Sequence, residues 1–327
     1  MKFLIFYGGV FMKKRIITGI IMAVILIPAV IVPELIRVLD IILLGACVIA
    51  SFELLNMYDK EKKLHWSIKL INVLFTLLLY VAIVNGEAYR DKCANSLIVR
   101  WLNATNLVHV ITPLNVILTM FIGILAIMIL NSSFTVSDAG KIFVSIVYIG
   151  VGVGAFTVLR YFGVRFIVYL LLITVSTDIF ALVFGMLLGK HKMAPVISPK
   201  KTWEGAIGGS FVAIVIGTVF LLLYEYFSSV FHNGVATGFF DGIFNYSEFT
   251  SVGKFFFALT LTLFISVCGQ IGDLVASKLK RTYGIKDYSN LFPGHGGILD
   301  RFDSCFFASA IFLAFMISEM NIFGVVI

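Results

Sequence analysis

The chain has 327 residues, of which 60% are apolar and 13% charged, with a formal net charge of +7. A soluble domain carries about 25% charged residues, and the mean hydropathy here is +1.04, so the soluble globular classes are excluded. Apolar runs recur at about 20 residues, the length an α-helix needs to cross a hydrocarbon core. In such a chain a basic excess bears on orientation and anionic lipid, and no nucleic-acid partner is expected. Cys47, Cys93, Cys268 and Cys305 lack metal-ligand spacing, and three of them lie in apolar runs. Neither a disulfide framework nor a zinc site is expected from them.

In chain order, residues 1–11 form a short apolar piece followed by Met12-Lys13-Lys14-Arg15. The basic residues follow the apolar part and no small-residue cleavage site is apparent, so this start is read as peripheral and not as a signal peptide. Spans are then expected near 16–33, 36–56, 67–85, 108–130, 142–160, 164–188, 205–228, 254–276 and 302–323. The expected fold class is therefore an all-α integral membrane protein, a polytopic bundle of about nine transmembrane helices. Three segments follow along the chain: N-terminal helices in 1–107, middle helices with a basic loop in 108–204, and C-terminal helices in 205–327. With nine spans, 18 of the 25 Lys and Arg fall on one side of the membrane. Basic residues accumulate on the cytoplasmic side, so 189–204 and 277–301 are expected to face the cytoplasm.

Asp178 lies inside the sixth span, eleven residues before Gly189, about 16 Å at 1.5 Å per residue. An unpaired aspartate at such depth costs about 2.5–3.5 kcal/mol on insertion scales, so a polar cavity or a partner is expected. A protonated Asp178 bonded to a neighbouring helix is the plainer alternative. Asp40 and Glu53, in the second span, are weaker candidates. Asp40 sits near the outer end of its helix, and Glu53 near the other end, where Lys60 or Lys62 could pair with it.

The loop after the sixth span contains Ser198-Pro199-Lys200-Lys201-Thr202-Trp203-Glu204-Gly205. Ser198 or Thr202 could cap the helix that follows. A helix N-terminus beside two lysines is a seat for phosphate, though snorkelling lysines with an interfacial tryptophan fit equally well.

The most polar stretch is Ser277 to Asp303, SKLKRTYGIKDYSNLFPGHGGILDRFD. It holds Lys278, Lys280, Arg281, Lys286 and Arg301, and four groups able to ligate a divalent cation: Asp287, His295, Asp300 and Asp303. Asp273 precedes it at the end of an apolar run, and on a helix Asp273 and Ser277 share a face at i and i+4. Carboxylates beside ammonium and guanidinium groups suit a metal-bound polyphosphate. A basic loop anchored by lipid headgroups would explain the cations, but not the glycine pair or the Asp-Arg-Phe-Asp ending.

This stretch resembles the signature of the phosphatidate cytidylyltransferase (CDP-diacylglycerol synthase) family. The resemblance rests on Ser277, Lys280-Arg281, Lys286-Asp287, Ser289, Phe292-Pro293, His295-Gly296-Gly297 and Asp300-Arg301-Phe302-Asp303, in ungapped spacing. The Ser198–Gly205 run and the Thr177-Asp178 pair are similar to the same family, and residue-level likeness covers roughly 170–310. Where the family continues with Gly-Arg, this chain has Gly185-Met186, which puts any role of that arginine in doubt.

The resemblance implies transfer of cytidylate from CTP to phosphatidate, with Asp273 and Asp300 as ligands of Mg2+ and a second cation such as K+ as a further candidate. It implies catalytic roles for Asp273, Asp300, Lys280, Arg281 and Asp303. Substrate binding falls to Ser198, Lys200, Lys201, Asp178, Ser277, Lys286, His295 and Arg301. Asp273 ends one expected span and Asp300 opens the next, so both carboxylates are expected at the cytoplasmic mouth. The implied setting is a bacterial inner (plasma) membrane, with CTP, phosphatidate and membrane lipid as partners and a homodimer as one candidate assembly. Cytidylyl transfer to another lipid phosphate, or transport of an anionic substrate, remains as an alternative function. A CDP-alcohol phosphotransferase is not favoured, because no Asp-Gly-x-x-Ala-Arg run is present.

Overall fold

The computed structural model describes residues 2–231, 238–244 and 249–323, with the side chains of 2–16, 229–231 and 323 outside the description. Part of the 229–253 connection, the charged flank Lys13–Arg15 and the extreme C-terminus therefore fall outside the described side chains or residues.

Apolar sequence forms helix wherever it runs long enough. The helices are α1 (Lys2–Ile31), α2 (Ile36–Tyr58), α3 (Trp66–Val84), α4 (Leu97–Ala104), α5 (Pro113–Leu130), α6 (Val136–Phe162), α7 (Val164–Leu187), α8 (Trp203–Phe231), α9 (Ser251–Thr282) and α10 (Leu299–Phe323). Their ends follow local chemistry. Pro113 occupies the first turn of α5 behind a Thr112 cap, where its missing N–H costs nothing. Thr135 and Asp138 exchange bonds at the start of α6, Thr135 N–H to Asp138 Oδ2 at 2.9 Å and Asp138 N–H to Thr135 Oγ1 at 3.3 Å, a capping box with Asp in the acidic position.

Eight helices among the described residues are long and apolar enough to cross a membrane. The protein is thus an all-α polytopic membrane protein. The expected first span lies within α1, where Ile17–Ile31 is an apolar stretch among the residues with described side chains. Two helices outrun their expected spans: α6 begins at Val136, and α9 continues to Thr282. Hydropathy locates the apolar stretch, whereas backbone bonding carries the helix on through Lys141 in one case and Lys278, Lys280 and Arg281 in the other.

Two elements were not expected. The connection between α3 and α5 contains the short amphipathic α4. Its N-terminus is capped by Ser96, which accepts from Val99 N–H at 3.0 Å, and by Asp40 Oδ2, which accepts from Leu97 N–H at 3.1 Å. Asp40 is 1% exposed, so it is a buried cap. The second element is an antiparallel hairpin, β1 (Lys192–Ala194) with β2 (Ser198–Thr202), pairing Lys192 with Thr202. The Ser-Pro-Lys-Lys-Thr run therefore leads into α8 as a strand.

The chain forms two compact units interleaved in sequence, residues 1–158 with 278–303 and residues 159–277 with 304–327. In the first, α2 packs on α3 and carries the buried Leu39, Leu43, Cys47 and Leu54, and α3 also packs on α5. In the second, α7 crosses α8 closely. A Cβ on Gly209 would lie 2.5 Å from the carbonyl of Thr177, so only glycine permits this approach; small residues play the same part in membrane helix pairs generally. Phe166, Tyr169, Phe239 and Phe312 form an aromatic core in the second unit, with ring centroids 5.0–6.1 Å apart. All four cysteines are unbridged.

Candidate active site

The first unit holds the signature stretch. After α9 the chain turns at Gly284, passes through an irregular segment, and enters α10 at Leu299. Asp300 organises this segment. Its Oδ1 accepts from Lys280 Nζ at 2.7 Å, and its Oδ2 accepts from the N–H groups of Tyr288 at 2.7 Å and Gly297 at 2.9 Å. The Asp300 side chain is 2% exposed and that of Lys280 11%. Lys280 also lies 5.1 Å from the centroid of the Tyr288 ring. Burial, with the nearby Tyr148, Asp303 and Asp300, pushes the Tyr288 phenol above its usual pKa, so the ring stays neutral under the lysine.

Glu53 was read as a partner for Lys60 or Lys62, and the structure corrects this. Lys62 binds Asp138 at 2.5 Å. Glu53 reaches into the signature segment, where Oε1 accepts from Ser289 Oγ at 2.7 Å and Ile298 N–H at 3.0 Å, and Oε2 accepts from Leu299 N–H at 2.9 Å. The glycine pair follows from these two acids. Gly296 has φ +80°, and a Cβ there would sit 2.7 Å from Asp300 Oδ2; a Cβ on Gly297 would collide with the Glu53 carboxylate.

The other predicted residues of this unit differ in setting. His295 shares a 2.8 Å hydrogen bond between its Nδ1 and Thr18 Oγ1 and packs against Gly19 of α1. Arg281 is exposed and donates to the Ile285 carbonyl at 2.9 Å. Lys286, Asp287 and Arg301 are exposed. Asp303 is buried, and its backbone carbonyl accepts from Tyr148 Oη at 3.3 Å.

The second unit holds the other acid–base couple. Lys201, on β2, forms an ion pair with Asp273 of α9; both side chains are 29% exposed. The other Asp273 oxygen accepts from Ser277 Oγ at 3.3 Å, the i to i+4 contact expected of that face. Asp178 on α7 interacts electrostatically with both Asp273 and Lys201. Asp178 is exposed on α7. Thr202 Oγ1 accepts from Gly205 N–H at 3.1 Å and so caps α8. Glu204 is held by His191, at 2.5 Å from its Nδ1. Ser198 is half-buried and Lys200 is exposed on β2.

Sequence reasoning missed a polar ladder beside Asp178. Thr177 and Ser266 hydroxyls lie 2.8 Å apart, Ser266 donates to Ser210 at 3.0 Å, and Gln270 donates to Ser210 at 2.7 Å and to the Ala206 carbonyl at 3.3 Å. It ties α7, α8 and α9 together along the same level as the acids. Isolated Ser and Thr in apolar runs give no sign of such convergence.

Among the described residues no three His, Cys, Asp or Glu side chains converge as a metal cage. Asp273 and Asp300 each offer carboxylate oxygens, the donor type that suits a hard divalent cation keeping its remaining positions for water and phosphate. Chemically, each couple sets a lysine against an aspartate on sequence rich in further cations. An arriving polyphosphate can exchange for the carboxylate at such a lysine.

A membrane-embedded enzyme for nucleotidyl transfer is what these features define. The model of the cytidylyltransferase family matches residues 13–318, and the chain belongs to that family. It is similar to the phosphatidate cytidylyltransferase of Bacillus subtilis, 33% identical over 311 residues, covering 94% of this chain and 98% of the relative. The phosphatidate cytidylyltransferase of Staphylococcus haemolyticus is 32% identical over 299 residues, 90% of this chain and 95% of that protein. That of Staphylococcus aureus strain COL is 36% identical over 200 residues, 61% of this chain and 67% of the relative.

Proposed function

We propose that this protein transfers cytidylate from CTP to phosphatidate, giving CDP-diacylglycerol and pyrophosphate for phospholipid synthesis. The observation that carries the reading is two Asp–Lys couples: Lys280–Asp300 inside the Ser277–Asp303 stretch, and Lys201 of the Ser198–Gly205 run on Asp273, just before that stretch. Relatives bearing the phosphatidate cytidylyltransferase name over nearly the whole chain support it.

In this reading a phosphatidate oxygen, already ionised at neutral pH, attacks the α-phosphorus of CTP. A new P–O bond forms as the bond to the bridging oxygen breaks, and pyrophosphate leaves with its negative charge. No strong general base is required. The barrier is the approach of two anions and the charge gathering on the leaving group, which cations offset. Lys280 and Arg281 neutralise phosphate charge from the signature segment, and Lys200 and Lys201 do so from the hairpin. Ser198, Ser277, Lys286, His295 and Arg301 complete substrate binding, and Asp303 supports Asp300 from the next turn of α10. Asp273 and Asp300 would hold Mg2+, which when bound neutralises polyphosphate charge; K+ is a candidate second cation.

The setting proposed is the inner membrane of a bacterium, with both basic stretches facing the cytoplasm, where CTP is. Cysteines introduced singly at Lys192 and Lys286 should react with an impermeant thiol reagent only after cells are opened. Labelling in intact cells refutes that orientation. The activity itself is tested by incubating purified protein with labelled CTP and a panel of lipid phosphates, then extracting lipid. Label should enter the lipid phase with phosphatidate. Movement of label across a vesicle membrane with none in lipid would instead identify a transporter.

A further inference from the structure

We propose that Glu53 is a positioning residue of the transferase: from α2 it latches the signature segment, so that Asp300 and Lys280 stand in working register. The inference rests on the cytidylyl-transfer reading. It starts from what surrounds the carboxylate. Glu53 is 4% exposed, and the donors it meets are one hydroxyl and two backbone N–H groups. No Lys, Arg or His pairs with it among the described residues.

A buried carboxylate without a cation persists only where strong hydrogen bonds offset its desolvation. The two amides come from Ile298 and Leu299, at the entrance to α10, where a helix leaves its first N–H groups unbonded and carries partial positive charge. A residue just before the helix usually fills this role. Here one acid does so from 245 residues away. Asp300 takes the preceding amide, Gly297. Two carboxylates thus bond the N–H groups of Gly297, Ile298 and Leu299 in succession, one from within the segment and one from a different helix.

The consequence is mechanical. Asp300 fixes the segment to Lys280 and Tyr288, which belong to the same stretch of chain. Glu53 fixes the segment to the helical bundle of its unit. Without Glu53, Asp300 and Lys280 can still pair, but the segment between the helices that carry them loses its hydrogen bonds to α2. Gly297 is part of the device, since any side chain there strikes the Glu53 carboxylate. The catalytic contribution comes through the geometry of other residues.

Glu53→Gln is the informative substitution. The amide keeps one acceptor but turns an NH2 donor towards an N–H donor. Outer partners that orient reacting groups are typically worth about 10–100-fold, so kcat per folded molecule should fall by that factor in the full-length protein in detergent. KM for phosphatidate should change little. Trypsin should cut at Lys286 faster than in wild type, with CTP slowing the cut. Ser289→Ala, which removes only the hydroxyl, should fold normally and lose about tenfold, the low end of the same outer-partner effect. Both variants having wild-type kcat per folded molecule would overturn the proposal, even if Glu53→Gln melts earlier. If wild-type protein forms no CDP-lipid at all, the transferase reading fails, and the trypsin comparison still decides the latch: faster cutting supports it, an unchanged rate refutes it.

Discussion

The two Asp–Lys couples look alike in sequence and differ in what surrounds them. Asp300 is 2% exposed and accepts three hydrogen bonds, two from backbone. Asp273 is 29% exposed and has one lysine and one serine, with Asp178 as a like-charged neighbour. The first carboxylate is a structural keystone as well as a charge. The second sits where partners can be exchanged. Burial raises the cost of losing one member of an ion pair, because the other is left charged and dry, whereas a half-exposed pair is screened and worth little to stability. The same two residue types therefore make different predictions in the two units.

The largest effect is expected at Asp300. Asp300→Asn replaces an acceptor of two amides with a group that can oppose one of them, and it strands Lys280. Activity should fall by at least on the order of 10³-fold, the upper scale for a single electrostatic group. Unfolding free energy should drop by about 3–5 kcal/mol, as for a broken buried pair. Raising Mg2+ should not restore activity. Rate and thermal unfolding of the purified variant check this, and wild-type stability would erase the contrast with Asp273.

Asp273→Asn should cost about 10²–10³-fold in rate but less than about 1 kcal/mol in stability. If Asp273 holds the metal, its activity against Mg2+ concentration should shift to higher values. An unchanged Mg2+ dependence at a wild-type rate would leave Asp273 as a partner for Lys201 and nothing more.

How much of this was legible depends on how local the signal is. The spans could be read because lipid imposes a length, and the Thr202 cap because a cap is set by neighbours in sequence. The glycine pair was legible as a close approach, but not what approached: Asp300 is local, while Glu53 comes from 245 residues away. An acid near Lys60 and Lys62 invites a local pairing that the fold does not make. The Ser210–Ser266–Gln270 ladder was hidden for the same reason, since three helices must meet before its members become neighbours. The hairpin escaped because Pro199 and two lysines give no alternating apolar pattern, and backbone pairing in so short a ribbon leaves little trace in composition.

The lysines of the second unit sharpen the comparison further. Lys201→Ala removes the cation paired with Asp273, so its repulsion with Asp178 goes without relief. KM for CTP should rise about tenfold, equivalent to ~1.4 kcal/mol. Lys200 is exposed with no partner among the described residues, and Lys200→Ala should raise KM about two- to threefold, as for a charge acting largely through water. Lys63→Ala serves as an exposed control. Equal effects at positions 200 and 201 would mean that both act as bulk surface charge.

Asp178→Asn is expected to have a smaller effect than Lys201→Ala, and it tests whether this carboxylate of α7 takes part in the chemistry. The substitution preserves shape and one acceptor, so it removes charge without opening a cavity. Asp178 makes no hydrogen bond among the described residues, while its neighbours Thr177, Ser266 and Ser210 bond each other. The ladder should therefore survive, and thermal stability should change by less than about 1 kcal/mol, the scale of a single polar contact between membrane helices. The charge matters differently. Lys201 pairs with Asp273, and Asp178 adds a second negative charge near that pair, so neutralising Asp178 leaves the lysine to Asp273 alone and makes it harder for a phosphate to draw it away. A bias of about 1 kcal/mol corresponds to roughly fivefold in kcat/KM for CTP. Steady-state kinetics with CTP varied at saturating phosphatidate reads this directly. Full activity in the Asn variant would assign Asp178 to packing alone and would confine the chemistry of this unit to Lys201 and Asp273.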